Sequence, residues 1–396
     1  MEHEGEQLVC IYDAEGYVDA QILLSPPAFF VATCLDGQQD ETAIQGAFAA
    51  QFDGAHIEPE DIERIATMLE EQGFLYSPQF MAMIKARETT FKASPTRPAH
   101  LAGRSYPADP AELREMIDGF FTREGGPGAL PVFGDGTQHP LRGLVVPHID
   151  FERGGHTYAH GYGCLFSQPR PRTVLIFGVA HHAAPVPFIL TRKNFETPLG
   201  TLKVNTTMVD ALAEACSWDP YAYEDTHRCE HSIEFQAVML AYGYGSDVEI
   251  VPILCSSLAM AEETGSPETQ DEVAKFLDVC NALASNSEDR VTVLAAADLA
   301  HVGRCFGDDF EVDDERISGI AARDRTDLTM VEEMDAAGWY ARVMKDSNAR
   351  KVCGLGCIYA TLKTLNGASH HADLLHYDYA HDPSGGIVSF ASLAMK

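Results

Sequence analysis

Residues 173–190 read TVLIFGVAHHAAPVPFIL: an uncharged run from Thr173 to Ala180 ends in the adjacent imidazoles of His181 and His182. A short apolar run rich in Val, Ile and Phe, without alternation, predicts a strand covered on both faces. Working outward, RGLVVPHIDF, DVEIVPILC and RVTVLAAADLAHVG have the same character, and helical patterns such as SIEFQAVMLAYGY and GWYARVMKDSNARK lie between or after them. Strands that alternate with helices predict an α/β fold, a central, mostly parallel sheet flanked by helices. Ligands of such sheets collect outside the carboxyl ends of the strands. His148, His181, His182, Asp298 and His301 all fall just after a predicted strand. Imidazoles delivered from separate strand ends toward one sheet edge point to a metal, for which neutral imidazole is the commonest nitrogen ligand.

Each of these histidines, taken alone, also reads as a loop cap. Consecutive residues point in different directions, so one of His181 and His182 is expected to be structural, with His182 the alternative ligand. His231 in CEHSIEFQAVML opens a helix, where the positive end of the dipole disfavours an imidazolium and leaves a neutral proton acceptor. Its plainer reading is a helix-start residue bonded to the backbone. His156 and His160, spaced i and i+4 in GGHTYAHGYG, lack the adjacent glutamate of a zincin and read as packing or surface residues.

The chain has 396 residues, enough for two or three domains and a sizeable core. Against 28 Lys and Arg stand 59 Asp and Glu, and the net charge of −31 would repel a phosphate backbone, which argues against a nucleic-acid partner. No apolar run approaches the roughly 20 residues of a membrane span. The opening MEHEGEQLVC has neither a basic nor an apolar leader region, so a cytoplasmic location is expected. The 10 cysteines form no C-x-x-C pair, which favours reduced thiols over a disulfide framework or a zinc ribbon.

Composition shifts near residue 95. Upstream, QLVCIYDAEGYVDAQILLS predicts two strands about a turn at Glu15-Gly16, although the second reads equally as a lone strand. Three helices follow: one capped by Ser25 with Pro26 at its first position, one capped by Asp40 with Ile44, Ala47, Phe48 and Phe52 on a face, and one from Pro59 to Gly73 with Ile62, Ile65, Met68 and Leu69 inward. This is the pattern of a small winged helix, but Glu60, Asp61, Glu63, Glu70 and Glu71 on its third helix would repel DNA. The stretch LSPPAFFVATCLDG…IERIATMLEEQGFL resembles the PqqD-like domains, winged-helix modules that present peptides to modifying enzymes, and so implies a peptide ligand for residues 1–78. A winged helix that simply packs on its neighbour is the alternative. Residues 79–98 read as a helix or loose linker to an α/β domain over 99–396.

In that second domain AGRSYPADPAEL, VVPHIDF, FGVAHH, FETPLGTLKVN, EHSIEFQ, ADLAHVGRCFG and VCGLGC occur in order. Together they resemble the MEMO family, whose bacterial and archaeal members are called AmmeMemoRadiSam system protein B. The resemblance implies a fold like that of class III extradiol dioxygenases, with a non-haem metal at the sheet edge. It places the family's metal ligands on His148, His181 and Cys353 and a further active-site histidine on His231. Asp150, His182, Glu230, Asp298 and His301 then fall around the ligands. A thiolate where the dioxygenases use a carboxylate favours iron(II) or copper and redox chemistry over ordinary catechol cleavage. The sequence departs from the family's wording where PHIDF replaces PHAGY and GVAHH replaces GPSHH, which adds Asp150 near a ligand. The resemblance also implies a radical SAM protein as partner and a small-molecule or peptide-derived substrate. A metal-containing module that binds peptide or protein without turnover is the second function class.

Overall fold

The computed structural model describes all residues except 1, 4–5, 14–16, 19, 135–140, 183, 257, 259–266 and 287–289. The chain divides into two units, Met1–Ala93 and Ser94–Lys396.

In the first unit, β1 (Glu2–His3) pairs with β2 (Glu6–Gln7), and β3 (Val9–Tyr12) pairs antiparallel with β4 (Gln21–Leu24). The turn expected at Glu15-Gly16 lies outside the described residues. Helices α1 (Pro26–Cys34) and α2 (Glu41–Gln51) start where Ser25 and Asp40 accept the backbone N–H groups of Ala28 and Ala43. Helix α3 (Pro59–Glu71) begins at its proline without a side-chain cap. Val31, Ile44, Phe48 and Ile62 from these helices bury one another. Residues 79–98 are not a single connector. Helix α4 (Pro78–Ala93) belongs to the first unit, and Thr96–Arg97 forms β5 in the sheet of the second.

The second unit is built on one mixed sheet. Strands β6 (Gly143–Val146), β7 (Thr173–Val179), β10 (Gly200–Val204), β11 (Glu249–Cys255) and β12 (Val291–Ala296) lie side by side in the order β6-β12-β7-β11-β10, all parallel. Antiparallel strands extend it: β8 (Phe188–Leu190) on β11, β9 (Asn194–Thr197) on β10, and β13 (Asp298–Gly303), β14 (Ala372–Asp382) and β15 (Gly386–Met395) beyond β6. Every residue of β6, β7 and β12 is buried, as their continuous apolar sequences require. Helices α6 (Phe151–Phe166) and α8 (His231–Tyr244) pack on the sheet, with α5 (Pro110–Thr122) behind α6. Helices α9 (Asp271–Ser285) and α12 (Leu355–Thr364) cover it as well, joined by α7 (Thr206–Ala215), α10 (Asp314–Glu332) and α11 (Ala336–Met344).

Two local expectations change. RVTVLAAADLAHVG is two strands, so Asp298 and His301 sit on β13 rather than in a loop after a strand; β15 supplies the ladder that makes it one. The helix in GWYARVMKDSNARK stops at Met344, because Ser347 and Asn348 take positive φ values of 56° and 53°. Among the described residues no helix is long and apolar enough to cross a membrane.

Candidate metal centre

The shared direction of β6, β7, β11 and β12 puts their carboxyl ends along one edge, and the site is assembled there. His148 follows β6 after Pro147 and is 1% exposed. Its backbone N–H donates to Asp298 Oδ1 at 2.9 Å. Its Nδ1 lies 2.9 Å from the Ala296 carbonyl, which can only accept, so Nδ1 carries the proton and Nε2 presents a lone pair. Burial, then the neighbouring His181, pushes its pKa down to about 3, and the ring is neutral at neutral pH.

His181 follows β7 and has a side chain 35% exposed. Its Nδ1–H donates to Glu230 at 3.0 Å and its backbone N–H to the same carboxylate at 2.9 Å. Burial is the largest single influence on His181 and works against protonation, but the Glu230 charge, the Glu230 hydrogen bond and the Asp298 charge together outweigh it and the net direction is upward. Glu230 is buried, which opposes ionisation, yet His181 and His231 hold it well below the usual carboxylate range. It also caps α8 through the N–H of Ser232 at 2.9 Å.

His231 is the first residue of α8, with Nδ1 3.4 Å from Glu230 and its ring stacked on His181 at 4.5 Å and 18°. Its pKa falls to about 4, first through burial, with His181 and His148 adding to the effect and Glu230 opposing it. Loss of hydration thus favours the neutral ring independently of its place at the start of α8. One ring nitrogen from each of His148, His181 and His231 lies within 4.8 Å of the others, a set that could hold a metal ion. Cys353, in the turn before α12, brings Sγ to 3.3 Å from His148 Nε2, and burial raises its thiol pKa well above the usual value.

The remaining sequence candidates separate. Asp298 is 2% exposed, supports the backbone of His148, and has its second oxygen 3.6 Å from His148 Nε2. Asp150 caps α6 through the Arg153 N–H and pairs with the Arg153 guanidinium at 2.6 Å. His301 bonds the Leu299 carbonyl at 3.2 Å and packs edge-on against Phe306. His182 is exposed and outside the three-imidazole set. His156 bonds the Phe120 carbonyl at 3.2 Å, while His160 bonds the Gly125 carbonyl and stacks on His376, in keeping with packing roles.

Sequence reasoning missed the network behind Glu230. Arg97 and Glu234, both 0% exposed, form an ion pair. Arg97 also donates to the carbonyls of Glu230 and His227 at 2.9 and 2.8 Å, and Glu234 accepts from Tyr106 and from the N–H of Leu101 at 2.8 Å. A glutamate inside the apolar helix HSIEFQAVML was the available signal, since a buried carboxylate requires a partner.

The family described as Memo-like protein matches residues 97–394. A MEMO1 family protein of Aquifex aeolicus is 26% identical over 379 residues, covering 95% of this chain and 93% of that protein. One from Methanopyrus kandleri is 31% identical over 307 residues, covering 75% of this chain and 97% of its own length. One from Desulfurococcus amylolyticus is 29% identical over 300 residues, covering 74% and 96%.

Proposed function

From the premise that the chain belongs to the Memo-like protein family, we propose that its second unit is a non-haem metal protein, with iron(II) as resident metal, that carries out oxidative chemistry on a small-molecule or peptide-derived substrate. The observation that carries this reading is the donor set. The Nδ1 atoms of His148 and His181 are tied to Ala296 and Glu230, so both Nε2 lone pairs are available, and the Cys353 sulfur lies 3.3 Å from one of them. Two imidazoles and a cysteine sulfur suit a redox-active first-row metal of intermediate softness. Bound there, the metal would supply Lewis acidity and one-electron redox chemistry at the sheet edge. His148, His181 and Cys353 hold it; Glu230 fixes the tautomer and orientation of His181. His231, kept neutral by its depressed pKa, accepts a proton at Nε2 from a substrate hydroxyl.

A second arrangement is favoured by the close approach of the three imidazoles: His231 as third ligand, with Cys353 beside the metal. The N-terminal unit is proposed as a PqqD-like peptide-presenting module and a radical SAM protein as partner, on the sequence resemblance.

The test is metal analysis and oxygen uptake on the anaerobically purified full chain, Cys353→Ala and His231→Gln. The expected result is about one iron per wild-type chain, metal affinity weakened substantially in Cys353→Ala, and metal retained in His231→Gln with turnover lowered on the order of 10²-fold. Metal lost from His231→Gln and kept in Cys353→Ala establishes the second arrangement. Bound metal without oxygen uptake points to a binding module, and a wild type that takes up no metal overturns the reading.

A further inference from the structure

A cavity of about 340 Å³ lies beside the imidazole cluster, walled by the carboxyl ends of β7 and β11, the turn before Cys353 and the first turn of α12. His181 and Cys353 form part of its wall, so a molecule within it rests against the proposed metal position. Its size is at the small end of ligand pockets, roughly 300–1,000 Å³.

The wall chemistry is narrow. Val179, Leu258, Val352 and Leu355 give it an apolar surface. The polar side chains among them are mostly engaged. The Ser256 hydroxyl donates to the Ala184 carbonyl at 2.7 Å and accepts the Ala184 N–H at 3.0 Å. The Asn348 amide spans the backbone of Val352, at 2.8 and 3.2 Å. Lys351 is the only lysine or arginine among the described residues that line the cavity. It gives one hydrogen to Asp308 Oδ1 at 2.7 Å, and an ammonium has two more.

The backbone that presents Lys351 is strained. Ser347, Asn348 and Lys351 all adopt left-handed conformations, φ 56°, 53° and 53°, that residues with a Cβ seldom take. Local bonds hold them there, among them Lys351 N–H to the Asn348 carbonyl at 2.7 Å. Strain of this kind persists where the surroundings over-determine it and gathers at ligand clamps. Electrostatics narrows the ligand further. A chain of net charge −31 repels anions in general, so an anion that reaches this wall needs a local cation, and Lys351 supplies one, its charge offset in part by Asp308.

We propose that this cavity is the substrate site and that it takes a small organic acid with an apolar body, whose carboxylate is bound by Lys351. The assignment of the cavity to substrate rests on the metal-centre reading above; the acid preference rests on the cavity's own walls. The probes are benzoate and its neutral counterpart benzamide, titrated calorimetrically into the metal-free full chain and into two variants. Lys351→Asn removes the charge with a residue that tolerates the left-handed backbone. Gly356→Leu fills the cavity from the first turn of α12, where the nearest described atoms to an added Cβ belong to the Leu258 side chain, at 3.4 Å. We expect benzoate to bind wild type at least tenfold more tightly than benzamide. Lys351→Asn should remove that preference and leave benzamide unchanged, and Gly356→Leu should abolish binding of both while its thermal unfolding midpoint stays near wild type. Equal affinity for the two probes, no binding of benzoate, or a benzoate preference that survives Lys351→Asn overturns the proposal. Should Gly356→Leu fail to fold, Lys351→Asn decides alone. Iron uptake is measured on the same samples: benzoate selectivity in a chain that takes up no iron overturns the metal reading and upholds the acid-binding cavity.

Discussion

Glu230 receives three donors in the site, the N–H and Nδ1–H of His181 and the N–H of Ser232, while its own carbonyl accepts from Arg97. Carboxylates behind a ligating imidazole fix its tautomer and raise its basicity, and their loss typically weakens metal affinity 10–100-fold. Glu230→Gln is expected to fall in that range in a chelator-competition titration, with the fold intact by circular dichroism; unchanged affinity would remove Glu230 from the support of His181. A second residue is expected to weaken the fold in acid. His227 is 1% exposed, with Nε2 3.2 Å from the Ile189 carbonyl, and burial lowers its pKa to about 3. Its unfolded value is about 6.5, so between these values the unfolded chain binds the extra proton and stability falls as pH falls. From pH 6.5 to pH 5 the loss from this residue is on the order of 2 kcal/mol. His227→Gln keeps a donor for Ile189 and should flatten that limb. Urea midpoints at pH 7 and pH 5 check it, and parallel curves for the two proteins would contradict it.

At the scale of elements, the site depends on how closely α12 approaches the sheet. Gly354, the residue before that helix, has its N–H on the Asp298 carbonyl at 3.1 Å, and an added Cβ would lie 2.5 Å from the Ala297 side chain and 2.6 Å from that carbonyl. Gly354→Ala must push the start of α12 outward, at a cost of about 1–3 kcal/mol. Cys353 moves with it, so metal retention should fall together with the thermal midpoint; a variant as stable as wild type would show that the contact is looser than described. The joint between β5 and α8 is the second such case. Arg97→Met leaves the Glu234 carboxylate buried without its cation, which costs on the order of 3–5 kcal/mol by chemical denaturation. A loss below about 1 kcal/mol, the worth of an exposed pair, would mean that water reaches the carboxylate.

At the scale of the whole molecule, the two units have separate cores: Val31, Ile44, Phe48 and Ile62 in the first, and the strands, α6, α8 and α12 in the second. A fragment of residues 94–396 is therefore expected to fold cooperatively and to hold the same metal per chain as the full protein. A single sharp thermal transition and metal analysis check this, and a molten or metal-free fragment would show that the first unit completes the second.

The sequence by itself determined the central sheet, because strands buried on both faces must be apolar at every position, and it determined that His148 and His181 stand at one edge, because parallel strands share their carboxyl ends. It also determined the starts of α1 and α2, where Ser25 and Asp40 satisfy local backbone donors. These are short-range requirements, and hydrophobic pattern and capping chemistry encode them directly. Only the tertiary structure decided which groups meet. Cys353 reaches His148 across 205 residues, Arg97 reaches Glu234 across 137, and Glu230 holds His181 across 49. Nor could local pattern separate β13 from β12, since the partner that defines β13 is β15, whose residues lie more than eighty positions later. Such pairings arise from chain topology and close packing, and neither period nor composition at one position specifies the group that will face it from so far along the chain.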